Sequence, residues 1–152
     1  MSIERIVKAE FTVIGMEGST RDGEGFIAKL WDAANARFGE IAQLCKHDES
    51  GAFVGFWGAM SDFSRSFKPW DDFANGLYLA GAECEDGAEP PEGWTKWVLP
   101  GLEYLRFPQE EYTFDQAVTY VKESGHTFAG AAHDFIDPST GKGYICIPIR
   151  RL

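Results

Sequence analysis

Along the chain, apolar positions recur first at intervals of two, then of three and four, and the change of period divides the sequence into elements. Residues 6–16, Ile-Val-Lys-Ala-Glu-Phe-Thr-Val-Ile-Gly-Met, are β-branched and apolar in their second part. They predict a strand that ends at Gly15 or Gly18. A polar loop over 19–25 offers Ser19, Thr20 and Asp22 as helix caps. From 25 to 45 the period becomes helical: Ile27, Trp31, Ala34, Phe38, Ile41 and Cys45 form one apolar stripe. Gly39 weakens that helix by about 1 kcal/mol relative to alanine without interrupting the pattern. The turn-forming run His47-Asp-Glu-Ser-Gly51 follows, then a strand over 52–57. Residues 58–72 carry serines, aspartates and Pro69, but also Phe63, Phe67 and Trp70, so they read as a loop that packs over something.

The run Leu77-Tyr-Leu-Ala-Gly-Ala-Glu-Cys-Glu85 has the apolar content of a strand through the middle of a sheet, yet holds a glycine and a charge. Alternation puts Leu79, Gly81 and Glu83 on one face and Tyr78, Ala80, Ala82 and Cys84 on the other. Glu83 beside Gly81 could line a cavity for a positive group, the glycine leaving room for a ligand ring. Residues 85–97, acidic and bearing Gly87, Pro90, Pro91 and Gly93, read as an exposed connection between two halves. A strand follows at 102–107. Thr113-Phe-Asp-Gln116 has the spacing of a capping box, opening a helix to Ser124 with Gly125 as its stop. Residues 127–137 are extended, 137–141 turn, and 143–149 form the last strand, with Pro148 pointing to a sheet edge.

The element order is β-α-β-β twice. The fold class expected is α+β: a tandem βαββ repeat forming an antiparallel sheet, with two main helices and a central ligand cleft. The expected domain organisation is one domain over 1–152 with pseudo-repeats at about 1–86 and 97–152. At 152 residues, with 44% hydrophobic and 14% aromatic content, the chain can bury a substantial core.

Charge narrows the function. The formal charge is −10, and the only adjacent basic pair is Arg150-Arg151. Phosphate backbones need clustered Lys and Arg, so nucleic acid is not an expected partner. No apolar run approaches a membrane span, and the opening Met-Ser-Ile-Glu-Arg lacks the order of a signal peptide, so no membrane partner and a cytoplasmic location are expected. Cys45, Cys84 and Cys146 are odd in number and widely spaced, which fits buried thiols in a reducing compartment. His126 and His133 lack metal-ligand spacing, Cys45-Lys-His47 is no nucleophile–base pair by adjacency, and residues 15–25 lack the lysine of a phosphate loop. No metal and no cofactor are expected.

Several pieces in order resemble one family. They are Val13-Ile14-Gly15, Leu30-Trp31, Tyr78-Leu-Ala-Gly81-Ala-Glu83, Pro91-Glu-Gly-Trp94, Leu99-Pro100-Gly101 and Ile145-Cys-Ile-Pro-Ile149. Together they resemble the gyrase-inhibitor-like, effector-binding small-molecule domains of bacteria, nearest to the stand-alone integron-cassette branch. That resemblance implies an effector-binding domain whose cleft takes lipophilic, cationic aromatic compounds, multidrug fashion, against a buried acidic residue and aromatic walls. It places the acid on Glu83. Asp134, in His133-Asp-Phe-Ile136, stands where the family often has a glutamate. The expected ligand-binding set is Glu83, Trp31, Trp57, Tyr78, Tyr104 and Asp134. The resemblance leaves two other readings: a hydrolase of reactive small molecules using Glu83 and Tyr104, or a protein-binding inhibitor of the gyrase-inhibitor type. A homodimer or a separate regulatory protein is left open as a partner.

Overall fold

The computed structural model describes residues 3–152; Met1 and Ser2, the start of the segment read for a leader, lie outside the described residues. Eight strands and two α-helices follow in the order β1 (Glu4–Lys8), β2 (Phe11–Ser19), α1 (Phe26–Ala36), β3 (Phe56–Ser61), β4 (Leu77–Cys84), β5 (Thr95–Leu99), β6 (Leu102–Pro108), α2 (Phe114–Glu123), β7 (His133–Ile136) and β8 (Gly143–Arg151). All pairings are antiparallel, and the strand order is β1-β6-β8-β7-β3-β4-β2-β5. Adding four to each label in the first half of that order, with counting continued from β8 to β1, gives the second half in reverse. The two halves are thus related by a twofold axis between β3 and β7, and each unit is ββαββ rather than βαββ. Its short first strand crosses over: β1 pairs with β6, and β5 pairs with β2. Because β1 runs into β2 and β5 into β6, the two ends of the sheet belong to the same pair of long strands.

The alternation expected for β4 is realised. Leu77 and Leu79 join an inner cluster with Val13, Trp57, Trp97 and Tyr104, on the face that carries no helix. Ala82 and Cys84 join Ile14, Ala34 and Ile41 beneath α1. A third cluster places Ala117 and Val121 of α2 on Phe107, Ile145 and Ile147. Every residue of β4 is buried, which is what a central strand covered on both faces requires. Phe63 and Phe67 of the loop after β3 pack on the inner cluster, the cover their aromatic content predicts.

The single strand expected over 6–16 is two, β1 and β2, parted at Ala9-Glu10, and four further expectations change. The first helix stops at Ala36, not at residue 45. Arg37 leaves helical geometry (φ −116°, ψ 14°), and two short 3-10 turns follow at Phe38–Glu40 and Ala42–Leu44. The stripe continues regardless, because Phe38 and Ile41 still face the core while Cys45 leaves the helical path to pair with Cys84. The third strand lies at Phe56–Ser61 instead of 52–57, so the supposed loop begins four residues late. The acidic connection is shorter than expected, since Thr95–Leu99 is a strand with Trp97 buried. Finally, β8 is an inner strand between β6 and β7. Pro148 is nevertheless tolerated, because β7 pairs only as far as Cys146 and the chain opposite is the loop residue Ala129, which donates to the Pro148 carbonyl. The second helix follows its sequence signals: the Thr113–Gln116 capping box is formed both ways, and Gly125 takes a left-handed φ of 81°. Among the described residues no helix is long and apolar enough to cross a membrane.

Candidate functional site

The six expected site residues do not converge. Trp31, Tyr78 and Asp134 lie on the helix side of the sheet, whereas Glu83, Trp57 and Tyr104 point into the inner side. Strand alternation causes the separation: Tyr78 and Glu83 are an odd number of residues apart on β4 and so face opposite ways.

On the helix side, a groove runs between α1 and α2 along the twofold axis. One cavity of about 280 Å³ is walled by Trp70, Phe73, Phe114, Phe128 and Met60, and Asp134 also lines it. The next hollow along the groove, about 440 Å³, is walled by Trp31, Phe38, Phe56, Trp94 and Ile136. One turn of α1 separates Ile27 of the first from Trp31 of the second, and Asp134 and Ile136 are successive outward residues of β7. Between them a hydrogen-bond chain crosses the groove. Trp31 Nε1–H donates to Tyr78 Oη at 3.1 Å, and Tyr78 Oη–H donates to Asp134 Oδ2 at 2.9 Å. Gln109 Nε2 donates to the other oxygen of Asp134 at 3.3 Å.

Asp134 therefore has neutral donors but, among the described residues, no salt-bridge partner. Burial raises its pKa above the ordinary aspartate value, only partly opposed by the Tyr78 hydrogen bond. The Tyr78 hydroxyl is pushed up as well, by burial first and by the adjacent Asp134 charge second. A carboxylate held this way lacks a positive charge on its groove side.

Glycines set the close approaches around this arrangement and between its strands. A Cβ on Gly58 would stand 1.8 Å from Tyr78 Oη, so only glycine lets the Tyr78 ring reach Asp134. A Cβ on Gly81 would stand 2.1 Å from the Ile14 carbonyl oxygen, and one on Gly15 2.4 Å from the Ala80 carbonyl oxygen. Gly15 and Gly81 are register partners on β2 and β4. The space beside Gly81 is thus filled by a neighbouring backbone and is not room for a ligand ring. Gln109, the first residue of the β6–α2 connection, has no sequence signal beyond the polarity of its amide.

On the inner side, Glu83 is 5% exposed and fully engaged. Lys8 Nζ sits 3.1 Å from both of its oxygens, Lys46 Nζ lies at 3.6 Å, and Trp57 Nε1–H donates at 3.3 Å. The expected uncompensated acid on β4 is instead an ion-paired one. Among the described residues Tyr104 Oη has no hydrogen-bond partner, Glu83 included. Among the described residues no cluster of three or more His, Cys, Asp or Glu is placed to hold a metal.

No family model and no curated protein matches the sequence. Solved structures do match over almost all of the chain. SAV2435, bound to tetraphenylphosphonium, aligns with a TM-score of 0.64 at 16% identity, over 99% of this chain and 94% of that one. A protein from Staphylococcus aureus MU50, named a putative bacterial transcription regulation protein, aligns at TM-score 0.65 and 14% identity, over 99% of both chains. The Vibrio cholerae integron cassette protein aligns at TM-score 0.54 and 16% identity, over 97% of this chain and 95% of that one. The chain has the fold of the gyrase-inhibitor-like, effector-binding domains.

Proposed function

We propose that this protein binds lipophilic, cationic aromatic molecules in the groove between α1 and α2, with Asp134 supplying the charge and the surrounding rings the bulk of the contact. The observation that carries this reading is Asp134 itself: a half-buried carboxylate at an aromatic-walled cavity, hydrogen-bonded only by neutral groups among the described residues. Burying a charge without a counter-charge is costly, and a cationic ligand removes that cost by pairing with it. Aromatic faces add attraction of roughly 0.5–2 kcal/mol each toward a desolvated cation. Trp31 and Tyr78 belong to the site through the relay to Asp134. The similarity in fold to SAV2435, whose structure holds tetraphenylphosphonium, supports the same ligand class.

Glu83, Trp57 and Tyr104 are not part of this site. The hydrolytic reading needs Glu83 and Tyr104 to act together, and the tyrosine hydroxyl makes no hydrogen bond while both glutamate oxygens are occupied by Lys8. Calorimetric titration with tetraphenylphosphonium and with neutral triphenylphosphine oxide tests the proposal. Saturable binding of the cation, with the neutral compound at least tenfold weaker, is the expected result. Equal affinity for both would refute a charge-selective groove.

A further inference from the structure

The inner side of the sheet contains a second cavity, separate from the groove. It encloses about 160 Å³ and is walled by Lys8, Trp57, Glu83, Tyr104, Arg106 and Cys146, with Ile6, Val54 and Phe135 completing it. Three buried polar atoms in and beside it have no hydrogen-bond partner among the described residues: Tyr104 Oη, Arg106 Nε and His133 Nε2. Tyr104 and Arg106 line the cavity directly, and the His133 ring stands 6.0 Å from the Tyr104 ring and 6.3 Å from Trp57.

All three atoms carry hydrogens. Arg106 Nε–H can only donate, and its Nη2 is already bound to Glu4 at 2.7 Å. His133 Nδ1 accepts the Met60 backbone N–H at 3.0 Å, so a neutral His133 bears its proton on Nε2. Tyr104 can satisfy one of the other two by accepting, but its own hydroxyl hydrogen then still needs an acceptor. Lys8 has a third hydrogen beyond those it directs at the two Glu83 oxygens. Native proteins leave few such groups unpaired, because a buried donor without an acceptor keeps the cost of its lost hydration. The walls therefore offer more donors than free acceptors, since Glu83 is held by Lys8, Lys46 and Trp57 and the Tyr104 oxygen can accept from only one of its neighbours. Charge agrees: Lys8 and Arg106 outnumber Glu83 among the wall residues. The rest of the lining is apolar or aromatic. At roughly 30 Å³ per water the volume equals about five waters, room for a molecule of about six heavy atoms.

The geometry points to a second ligand site on the inner side of the sheet, one that takes a short-chain carboxylate whose oxygens accept from Tyr104 and Arg106 and whose apolar tail meets Trp57 and Phe135. The site is opposite in charge preference to the groove and on the opposite face of β7, where His133 and Phe135 point inward and Asp134 outward.

Butyrate is the probe and butyramide its neutral control, followed by the indole N–H resonance of Trp57 in the full-length protein at constant ionic strength. The expected result is a saturable shift with butyrate, none with butyramide or with sodium chloride alone, and at least tenfold weaker binding in Tyr104→Phe. That variant removes a hydroxyl with no protein partner and should fold and bind tetraphenylphosphonium as the parent does. Arg106→Lys, which keeps the charge facing Glu4 but removes the Nε–H, should weaken butyrate similarly. Absence of a saturable shift, equal shifts with butyramide or chloride, or unchanged affinity in both variants would overturn the assignment. So would a butyrate-soaked crystal in which the cavity holds ordered water only.

Discussion

Asp134 and Glu83 show how one residue type of charge acquires two roles from its surroundings. Glu83 lies deeper, but Lys8 and Lys46 neutralise it within the fold. Asp134 is met by a tyrosine hydroxyl and an amide, which stabilise its charge without cancelling it. The difference has a pH signature. The folded-state pKa of Asp134 is raised above 3.8 by burial, so its contribution to stability is full below the unfolded value and is lost as pH rises through the folded value. Asp134→Asn should therefore melt higher than the parent at neutral pH, with the gap closing as pH falls below the unfolded aspartate value; a variant less stable at neutral pH would contradict this. Because the groove binds the ionised form, tetraphenylphosphonium affinity should also decline as pH drops through the raised pKa. Titrations in buffers of different ionisation heat would detect the accompanying proton release.

The strands carry the next level of the account, and here the sequence was legible in unequal measure. The alternation of β4 and the capping box and glycine stop of α2 are local signals, and local signals sufficed. The same alternation separates Tyr78 from Glu83, since opposite parity on a strand means opposite faces. Gly58 and Gly81 could not be interpreted from sequence, because their reasons lie on other strands: the Tyr78 ring for one, the Ile14 carbonyl for the other. The crossing of β1 and β5 between halves was likewise hidden, as each is short and pairs across about a hundred residues or within a neighbouring unit. The two glycines give separable predictions. Gly81→Ala must force β2 and β4 apart and should cost about 1–3 kcal/mol or more in denaturant unfolding. Gly58→Ala displaces a side chain instead, and should lower tetraphenylphosphonium affinity about three- to tenfold by moving the Tyr78 hydroxyl off Asp134. Unaltered affinity there would remove Tyr78 from the site.

At the scale of the molecule, the twofold arrangement of two ββαββ units creates two different interiors from one sheet. The helices cover the outer faces of their own units and leave an aromatic groove where the units meet, between β3 and β7. The opposite face folds over Trp57, Tyr104 and the Glu83–lysine cluster, which acts as structure. Removing that cluster's negative charge should reduce stability without touching the groove. Glu83→Gln leaves two ammonium groups facing a neutral amide, and because both lysines keep contact with water the expected loss is about 1–2 kcal/mol, below that of a fully buried broken pair. The decisive comparison follows from this division: calorimetric titration of tetraphenylphosphonium into the parent protein, Asp134→Asn and Glu83→Gln at neutral pH. The account predicts that Asp134→Asn weakens binding by about ten- to a hundredfold, the loss of a desolvated ion pair, while Glu83→Gln binds as the parent does. Loss of binding in Glu83→Gln with full affinity retained in Asp134→Asn would contradict it.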